Sequence, residues 1–509
     1  MAEHRDAALV LRRKRGGWTG TGDASCRLGD PPAAGPEAVF ASWSWDGRRL
    51  DVANDRYGLV PMYWSGSADR FTIATTPRAA LAAGVSAELD LDALALLERF
   101  GQFVGDDTAF RELKRLPPGA RLTLAGTEPR LDGGPFIVPE RPLARDEALD
   151  AYVDEFRAAI GRRVPDEPYV HPLSGGRDSR HSLFALVEAG APPSELLTVR
   201  HVPPKPDEDL RIARRVAERL GLPHRIIARS DRPVEDEARK NRLSHFEAPF
   251  THGWSMPLVD HLSDYRGVLF DGFGGDVLSM ARYLDPENLR LHRSGRLEEL
   301  AERLLRAEDR VPTLIPRGGG RDEPGGPARS DRDRAVARLA RELALHADAP
   351  NPIRSFRFWN YSRRLIALSP LGLLHDHRVR LPYVDHRLFD LLAGLRAEVI
   401  LPGGGHFHTE AIRRAFPAWA DIPFENPDAR PRPDPAYYRM VARRSLAHLA
   451  RGATAGDLQH TTALAVRLIR CLVDPGYAEA AKWLGPLVVY ADQVRRMSDI
   501  SLDTRTGTT

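Results

Sequence analysis

Between Ala38 and about Leu124, apolar and polar residues alternate in short runs separated by turn signals: VFASWSW, Asp46-Gly47, RRLDVAND, RYGLVPMYW, SGSAD and RFTIATT. A period of two puts successive side chains on opposite faces of an extended chain, so these runs predict antiparallel strands joined by short hairpins. Leu91–Phe100 interrupts them with helical spacing, and the turn Leu116-Pro117-Pro118-Gly119 leads into a last strand, ARLTLAG. The β-rich region ends near residue 135, and the Pro-rich stretch from Pro135 to Pro142 predicts a linker.

From Leu143 the period changes. ALDAYVDEFRAAIGRRV predicts a helix, PYVHPL a short strand, SRHSLFALVEAG a helix closed by Gly190, and LLTVRHV a strand. Asp207 is the expected cap of the helix EDLRIARRVAERLG, and PHRIIAR and RGVLFDG are further strands. Strands alternating with helices predict parallel βαβ units, with ligand loops at the carboxyl ends of the strands. Residues 316–332 are rich in Gly, Pro and charge and predict a mobile insertion without chemistry. Residues 333–420 and 434–498 read as mainly helical, and the tail DTRTGTT as disordered. No internal repeat is present, and three regions follow: 1–140, 141–430 and 431–509.

A chain of 509 residues needs more than one core. With 42% hydrophobic and 28% charged residues it has the composition of a folded protein. Its 73 basic residues are balanced by 70 acidic ones, so Arg12-Arg13-Lys14 reads as a solvated basic face and not as a nucleic-acid footprint. Cys26 and Cys471 are too few for a disulfide framework or a multi-cysteine metal site. No run approaches the roughly 18 apolar residues of a spanning helix, and Met1–Asp6 lacks the apolar core of a signal peptide. A cytoplasmic protein without nucleic-acid or membrane partners is expected.

The most specific chemical signal is Ser174-Gly175-Gly176-Arg177-Asp178-Ser179, between a strand ending at Leu173 and a helix starting near Ser179. Two glycines let backbone amides approach an anion, the helix start adds partial positive charge, and the serine hydroxyls add hydrogen bonds. Such a loop suits a pyrophosphate group. A second loop, Phe270-Asp271-Gly272-Phe273-Gly274-Gly275-Asp276, follows the strand GVLF.

SGGxDS resembles the PP-loop of the N-type ATP pyrophosphatases, and the surrounding chain resembles their asparagine-synthetase branch. The resemblance implies attack at the α-phosphate of ATP, with AMP and pyrophosphate as products. It places Leu173, Ser174, Gly175, Gly176, Asp178 and Ser179 at the nucleotide and makes Asp178 a magnesium ligand. The FDGFGGD loop resembles the family's SGEGADE segment, which implies Asp276 as the second magnesium carboxylate and Gly272 beside the nucleotide. LTVR falls where the family's adenine-contacting strand lies, which implies Val199 as an adenine neighbour. Asn360 onward, through HDHRVRLPYVDHRLFDLLAGL, resembles the segment ending in VRxPFLD, and FHTEAIRRAFP resembles KxxLRxAF. The likeness spans roughly residues 38–425. It implies an α/β fold: an Ntn-hydrolase-like β-rich domain, then a PP-loop parallel-sheet synthetase domain of the adenine nucleotide α-hydrolase type with a helical C-terminal part.

At the N-terminal end, NDRYGLVPMYW resembles the family's RDRxGxKPLYY, and Arg115-Leu116-Pro117-Pro118-Gly119 its LxPG turn. A glutaminase of this class attacks with a cysteine exposed as the first residue, whose own amine serves as base. Residue 2 is Ala and Cys26 is internal, so a degenerate glutaminase-like domain without its nucleophile is expected. That loss resembles β-lactam synthetases and lasso-peptide macrolactam cyclases, which use an amine already on the substrate. The expected function is an ATP- and Mg2+-dependent amide ligase acting on a small molecule or peptide with a carboxylate and an amine, in natural-product or macrolactam biosynthesis. An ammonia-dependent amidotransferase and an ATP-binding scaffold are the alternatives, and a second copy or a pathway protein the macromolecular partner left open.

Three positions depart from the family. Phe273 stands where it has an acid or tyrosine, Arg378 where it has a glutamate, and Thr409 where it has a lysine. His375, Asp376, His377, His406 and His408 are nearby substitutes, imidazole being suited to general base work near neutral pH. Arg380 matches the family arginine, and Glu247 in HFEAPF and Tyr361 are further candidates. The expected catalytic set is Arg380, Glu247, His375 and His408.

Overall fold

Glycine-rich GWTGTG hides the alternation that marks a strand, yet it forms one. The computed structural model describes residues 6–14, 17–35, 37–126, 128–200, 207–279, 284–308, 330–401, 407–425, 434–452 and 458–506. Three strands precede the predicted β-region: β1 (Ala8–Lys14), β2 (Gly17–Gly22) and β3 (Ser25–Gly29). The others are β4 (Phe40–Trp45), β5 (Leu50–Asn54), β6 (Tyr63–Gly66), β7 (Arg70–Ala74), β8 (Lys114–Arg115), β9 (Arg121–Leu124) and β10 (Arg130–Asp132). They make two antiparallel sheets, in the orders β2-β1-β7-β6-β8 and β10-β9-β5-β4-β3. Leu9, Leu11, Phe71 and Ile73 of one sheet pack with Trp43, Val52, Leu122 and Leu124 of the other, a shared core between two faces. Arg12–Lys14 are exposed at the end of β1.

The second region is a five-stranded parallel sheet of β11 (Tyr169–Pro172), β12 (Glu195–Val199), β13 (His224–Ile227), β14 (Val268–Phe270) and β15 (Arg378–Arg380). Their order is β13-β12-β11-β14-β15. The central strands β11, β12 and β14 are short and mostly buried because helices cover both faces, whereas the edge strands β13 (HRII) and β15 (RVR) carry His and Arg. The helix Arg145–Gly161 buries Leu149, Tyr152, Val153, Phe156 and Ile160, and Glu147 accepts from the Ala144 amide at 3.0 Å to close its first turn.

Asp207 sits at the start of the helix Glu208–Leu220, but its side chain makes no cap and pairs instead with Arg200 at 3.0 Å. Of the expected mobile insertion, residues 316–329 lie outside the described residues. Ser330–Arg332 instead open the helix Asp331–Ala344, where Ser330 caps the Asp333 amide and Asp333 answers at the Ser330 amide. The last helix, Leu484–Thr506, runs into the tail read as disordered, because after Pro486 in its first turn it contains no Gly or Pro. No helix among the described residues is long and apolar enough to cross a membrane.

Two adjacent arginines join the regions. Phe358–Ile366 is a π-helical stretch carrying Arg363 and Arg364, each about 1% exposed. Arg363 donates to the Leu116 carbonyl at 2.6 Å and Arg364 to the Asp107 carbonyl at 2.7 Å, so both satisfy backbone of the β-rich region. Glu247 completes the joint. It accepts from Arg115 (2.5 Å), Arg364 (3.1 Å) and the Tyr63 hydroxyl (2.5 Å). Burial by itself would raise the Glu247 carboxyl, but the two guanidiniums outweigh it and hold its pKa below the ordinary value.

Candidate functional site

β11 ends where the glycines begin. The Leu173 amide still donates to the Leu197 carbonyl (2.8 Å), after which the chain turns through Ser174–Arg177 into the helix Asp178–Glu188. No side chain caps that helix at its first residue, which leaves first-turn N–H groups to face an anion. The loop is held in shape from within. Ser179 Oγ accepts from the Ser174 amide at 3.1 Å, Ser174 Oγ accepts from the Gly176 amide at 3.1 Å, and the two hydroxyls lie 3.1 Å apart.

Two charged residues invisible to the motif hold it from outside. Asp209 accepts from the Gly175 amide at 2.6 Å, and a Cβ on Gly175 would lie 3.1 Å from the Asp209 Cα. Arg180, fully buried, donates to the Gly175 and Gly176 carbonyls, both at 2.9 Å, and stacks over Phe424 at 3.9 Å. Burial, with Arg177 beside it, pushes the Arg180 guanidinium down to about 9. A second arginine in the run and an acid in the next helix's first turn are faint signals, and only the fold brings them to the loop.

The second loop lies directly against the first. The Asp271 amide donates to the Arg380 carbonyl at 3.0 Å, and the Asp271 carboxylate accepts from the Phe273 amide at 2.8 Å. Burial raises the Asp271 carboxyl to about 6. Gly272 is a contact residue: a Cβ there would lie 2.7 Å from the Asp178 carbonyl carbon and 2.8 Å from the Ser179 nitrogen. A Cβ on Gly275 would lie 2.9 Å from Asp178 Cγ. Backbone cannot yield as a flexible side chain does, so Gly272→Ala is expected to push the loops apart. It should cost about 1–3 kcal/mol in urea unfolding, with a loss of any activity that needs both loops. Wild-type stability would contradict the close packing of the two loops.

The helix Phe407–Ala415 closes the site. The Arg177 Nε donates to Thr409 Oγ1 at 2.6 Å, so a guanidinium occupies the position where the sequence lacks a lysine. Burial lowers the Arg177 pKa below its ordinary value. His408 is buried with its Nε2 3.1 Å from the Tyr383 hydroxyl and 3.1 Å from His181 Nδ1. Its Nδ1 is 3.4 Å from Asp178 Oδ1. Burial, with Arg177 nearby, pushes the His408 imidazole down to about 3, and His181 is likewise held well below its usual range, so both rings are neutral near pH 7.

The carboxyl edge of the parallel sheet thus gathers Leu173–Ser179, Gly272, Arg380 and, at the end of β12, the buried Val199, with His408 above them. Asp276 lies in the short helix Gly275–Ser279 of the second loop, and its side chain is outside the described part. Two expected catalytic residues are not brought there. His375 precedes β15, at the amino edge of the sheet, with Nδ1 3.0 Å from the Gly372 carbonyl and Nε2 3.3 Å from Asp376. Glu247 is committed to Arg115, Arg364 and Tyr63 at the joint between the regions. Of the departures, Phe273 is buried, and Arg378 pairs at the surface with Glu167 at 2.8 Å. Tyr361 lies under Arg357, 3.9 Å from the ring centre, and His406 falls outside the described residues.

Comparison with known proteins adds the following. Residues 151–419 match the family model described as asparagine synthase, and residues 32–131 match that of a glutamine amidotransferase domain. Amidase chyE of Penicillium rubens is 24% identical over 280 residues, covering 48% of this chain and 41% of that protein. Amidase chry2 of Gibberella zeae is 25% identical over 281 residues, 48% of this chain and 41% of that protein. Asparagine synthetase [glutamine-hydrolyzing] 1 of Bacillus subtilis is 26% identical over 258 residues, 47% of this chain and 38% of that protein. The matched part therefore spans about two fifths of the length of these relatives.

Proposed function

Because the chain belongs to the asparagine synthase family, whose model its residues 151–419 match, we propose that it is an ATP-dependent, AMP- and pyrophosphate-forming amide ligase. In this reading it couples a substrate carboxylate to a substrate amine in natural-product or peptide biosynthesis. The observation that carries the reading is the loop Ser174–Ser179 at a strand end, feeding a helix start free of side-chain caps.

A carboxylate oxygen attacks the α-phosphorus of ATP, the bond to the β-phosphate breaks, and pyrophosphate leaves. The amine nitrogen then attacks the acyl carbon, AMP departs with the C–O electrons, and the amine proton passes to a base. First-turn amides and the Ser174 and Ser179 hydroxyls are the donors for the phosphates. The residues fit magnesium in so far as they are described: Asp178 stands at the mouth of the loop with Gly275 packed against its carboxylate. Asp178 and Asp276 would hold the ion, which when bound neutralises charge on the departing pyrophosphate. Val199 and Gly272 would border the nucleotide, and Arg380 stands beside the second loop to balance phosphate charge.

Arg177 takes the place of the missing lysine. Anchored on Thr409, it presents a half-buried cation where negative charge gathers on the acyl centre and AMP. Arg177→Ala is expected to lower kcat/KM by about 10²–10³-fold, the scale of removing one preorganised donor. Arg177→Lys should recover part of the loss, keeping the charge without the planar fork. Wild-type kinetics for both variants would remove Arg177 from the reaction.

Use of a substrate amine is supported by Cys26. It lies within β3, paired with Trp43 across the ladder, so it cannot supply the terminal amine a glutaminase requires. One observation favours the alternative of a primary-amide-forming amidotransferase, the match of residues 32–131 to a glutamine amidotransferase domain. The two separate on incubating the protein with ATP, Mg2+ and candidate acids, adding an organic amine, ammonium or glutamine. A secondary amide formed with AMP and pyrophosphate is expected with the organic amine. A primary amide from ammonium or glutamine selects the alternative, and ADP with phosphate overturns both.

A further inference from the structure

A cavity lies past the carboxyl end of β13, lined from Ser230 and Pro233 onward. Its volume is about 360 Å3, and its walls come from Pro233–Leu243, the segment Phe250–Pro257, the helix Pro435–Gly452 and Trp483–Pro486. β13 stands two strands from β11, and ligands of open α/β sheets gather at this edge. The walls are largely apolar and aromatic, with Trp254 and Trp483 among them.

Three residues that line this cavity each carry a buried polar atom without a hydrogen-bond partner among the described residues: Asp236 Oδ2, Tyr438 Oη and Ser445 Oγ. The three residues are 6%, 5% and 0% exposed. Buried oxygens left without a partner cost free energy that a ligand's N–H groups can recover. Asp236 is the carboxylate left to meet a cation at this end. Glu237 is already neutralised by the buried Lys240 at 2.7 Å. Arg232 and Arg239, the cations nearest Asp236 in the chain, both pair with Asp260. Lys482 is exposed at the rim. Burial raises the Asp236 carboxyl above its ordinary value in spite of the Ser230 hydroxyl and the charges of Arg232 and Arg239, a cost that a bound cation offsets.

Backbone strain marks the same wall. His252, on that wall, lies in the left-handed region (φ 68°). Such conformations in residues other than glycine are strained and gather at ligand sites.

We propose that this cavity is a binding site for a hydrophobic monocation, an arylalkyl or alkyl ammonium whose apolar body fills the aromatic walls. Its N–H groups reach Asp236, Tyr438 and Ser445. The site stands on its own cavity and donors, and does not depend on the ligase reading.

Titration calorimetry of the full chain with 4-phenylbutylammonium, 4-phenylbutanol and 4-phenylbutyrate tests it, since the probes share a body and differ in charge. The ammonium is expected to bind at least about ten-fold more tightly than the alcohol, and the carboxylate most weakly. Asp236→Asn should bring ammonium and alcohol to equal affinity, and Ala442→Phe, which fills the cavity, should abolish binding of all three. If Asp236→Asn does not fold, Tyr438→Phe and Ser445→Ala carry the test, each weakening the ammonium several-fold. Equal affinity of ammonium and alcohol for the unaltered chain overturns the proposal. So does the absence of binding by every probe, or binding that survives Ala442→Phe.

Discussion

Asp178→Ala is expected to lower kcat by at least about a thousand-fold while the protein keeps its fold. The carboxylate stands at the loop's junction with its helix, against Gly275, where the phosphates and their metal are proposed to sit. Removing it takes away several kcal/mol of charge stabilisation on the transferring phosphate. The fold survives because His408, its neighbour at 3.4 Å, is held neutral near pH 7 by burial, so no buried cation is stranded. Steady-state pyrophosphate release and thermal unfolding measured together check both halves. Retention of more than a tenth of the rate, or collapse of the fold, would contradict this role.

Glu247→Ala should be the most damaging change to stability. It leaves the Arg115 and Arg364 guanidiniums buried without their carboxylate and takes the acceptor from the Tyr63 hydroxyl. Breaking a buried pair from one side costs about 3–5 kcal/mol, and here one acid serves two cations. The sign with pH follows from its depressed pKa, lowered from 4.5 by the two arginines against the opposing effect of burial. The contribution is fully present above the unfolded value of 4.5 and is lost as pH falls below it through the folded value. Urea unfolding between pH 7 and pH 3 reads this out, and the wild-type loss on acidification should be absent from the variant. If Glu247→Gln instead keeps full stability and loses only turnover, the acid belongs to catalysis and not to the joint.

That acid shows what the chain does and does not disclose. A buried catalytic carboxylate and a buried structural one look alike in HFEAPF. The difference lies in Arg115 and Arg364, 132 and 117 residues away, which a linear reading cannot bring together. The loop Ser174–Ser179 was legible because its glycines, its strand and its helix are contiguous. Its supports were not: Arg180 looks like any helix arginine, Asp209 was overshadowed by Asp207 as a cap, and Arg177–Thr409 spans 232 residues. His375 and His408 were equal as imidazoles, and strand direction separated them, one before β15 and the other above the loops. β2 is hard to read as a strand because three of its six residues are glycine, which leaves few side chains to show an alternation.

Attack of a carboxylate oxygen on the α-phosphorus is the step on which the proposed reaction turns. It is tested most directly with a carboxylic acid substrate labelled with 18O in both oxygens, turned over with ATP and an amine. One labelled oxygen is expected in AMP and none in pyrophosphate, with the label absent from AMP when Asp178→Ala replaces the wild-type protein. Label in inorganic phosphate, or AMP released without label, would contradict adenylation.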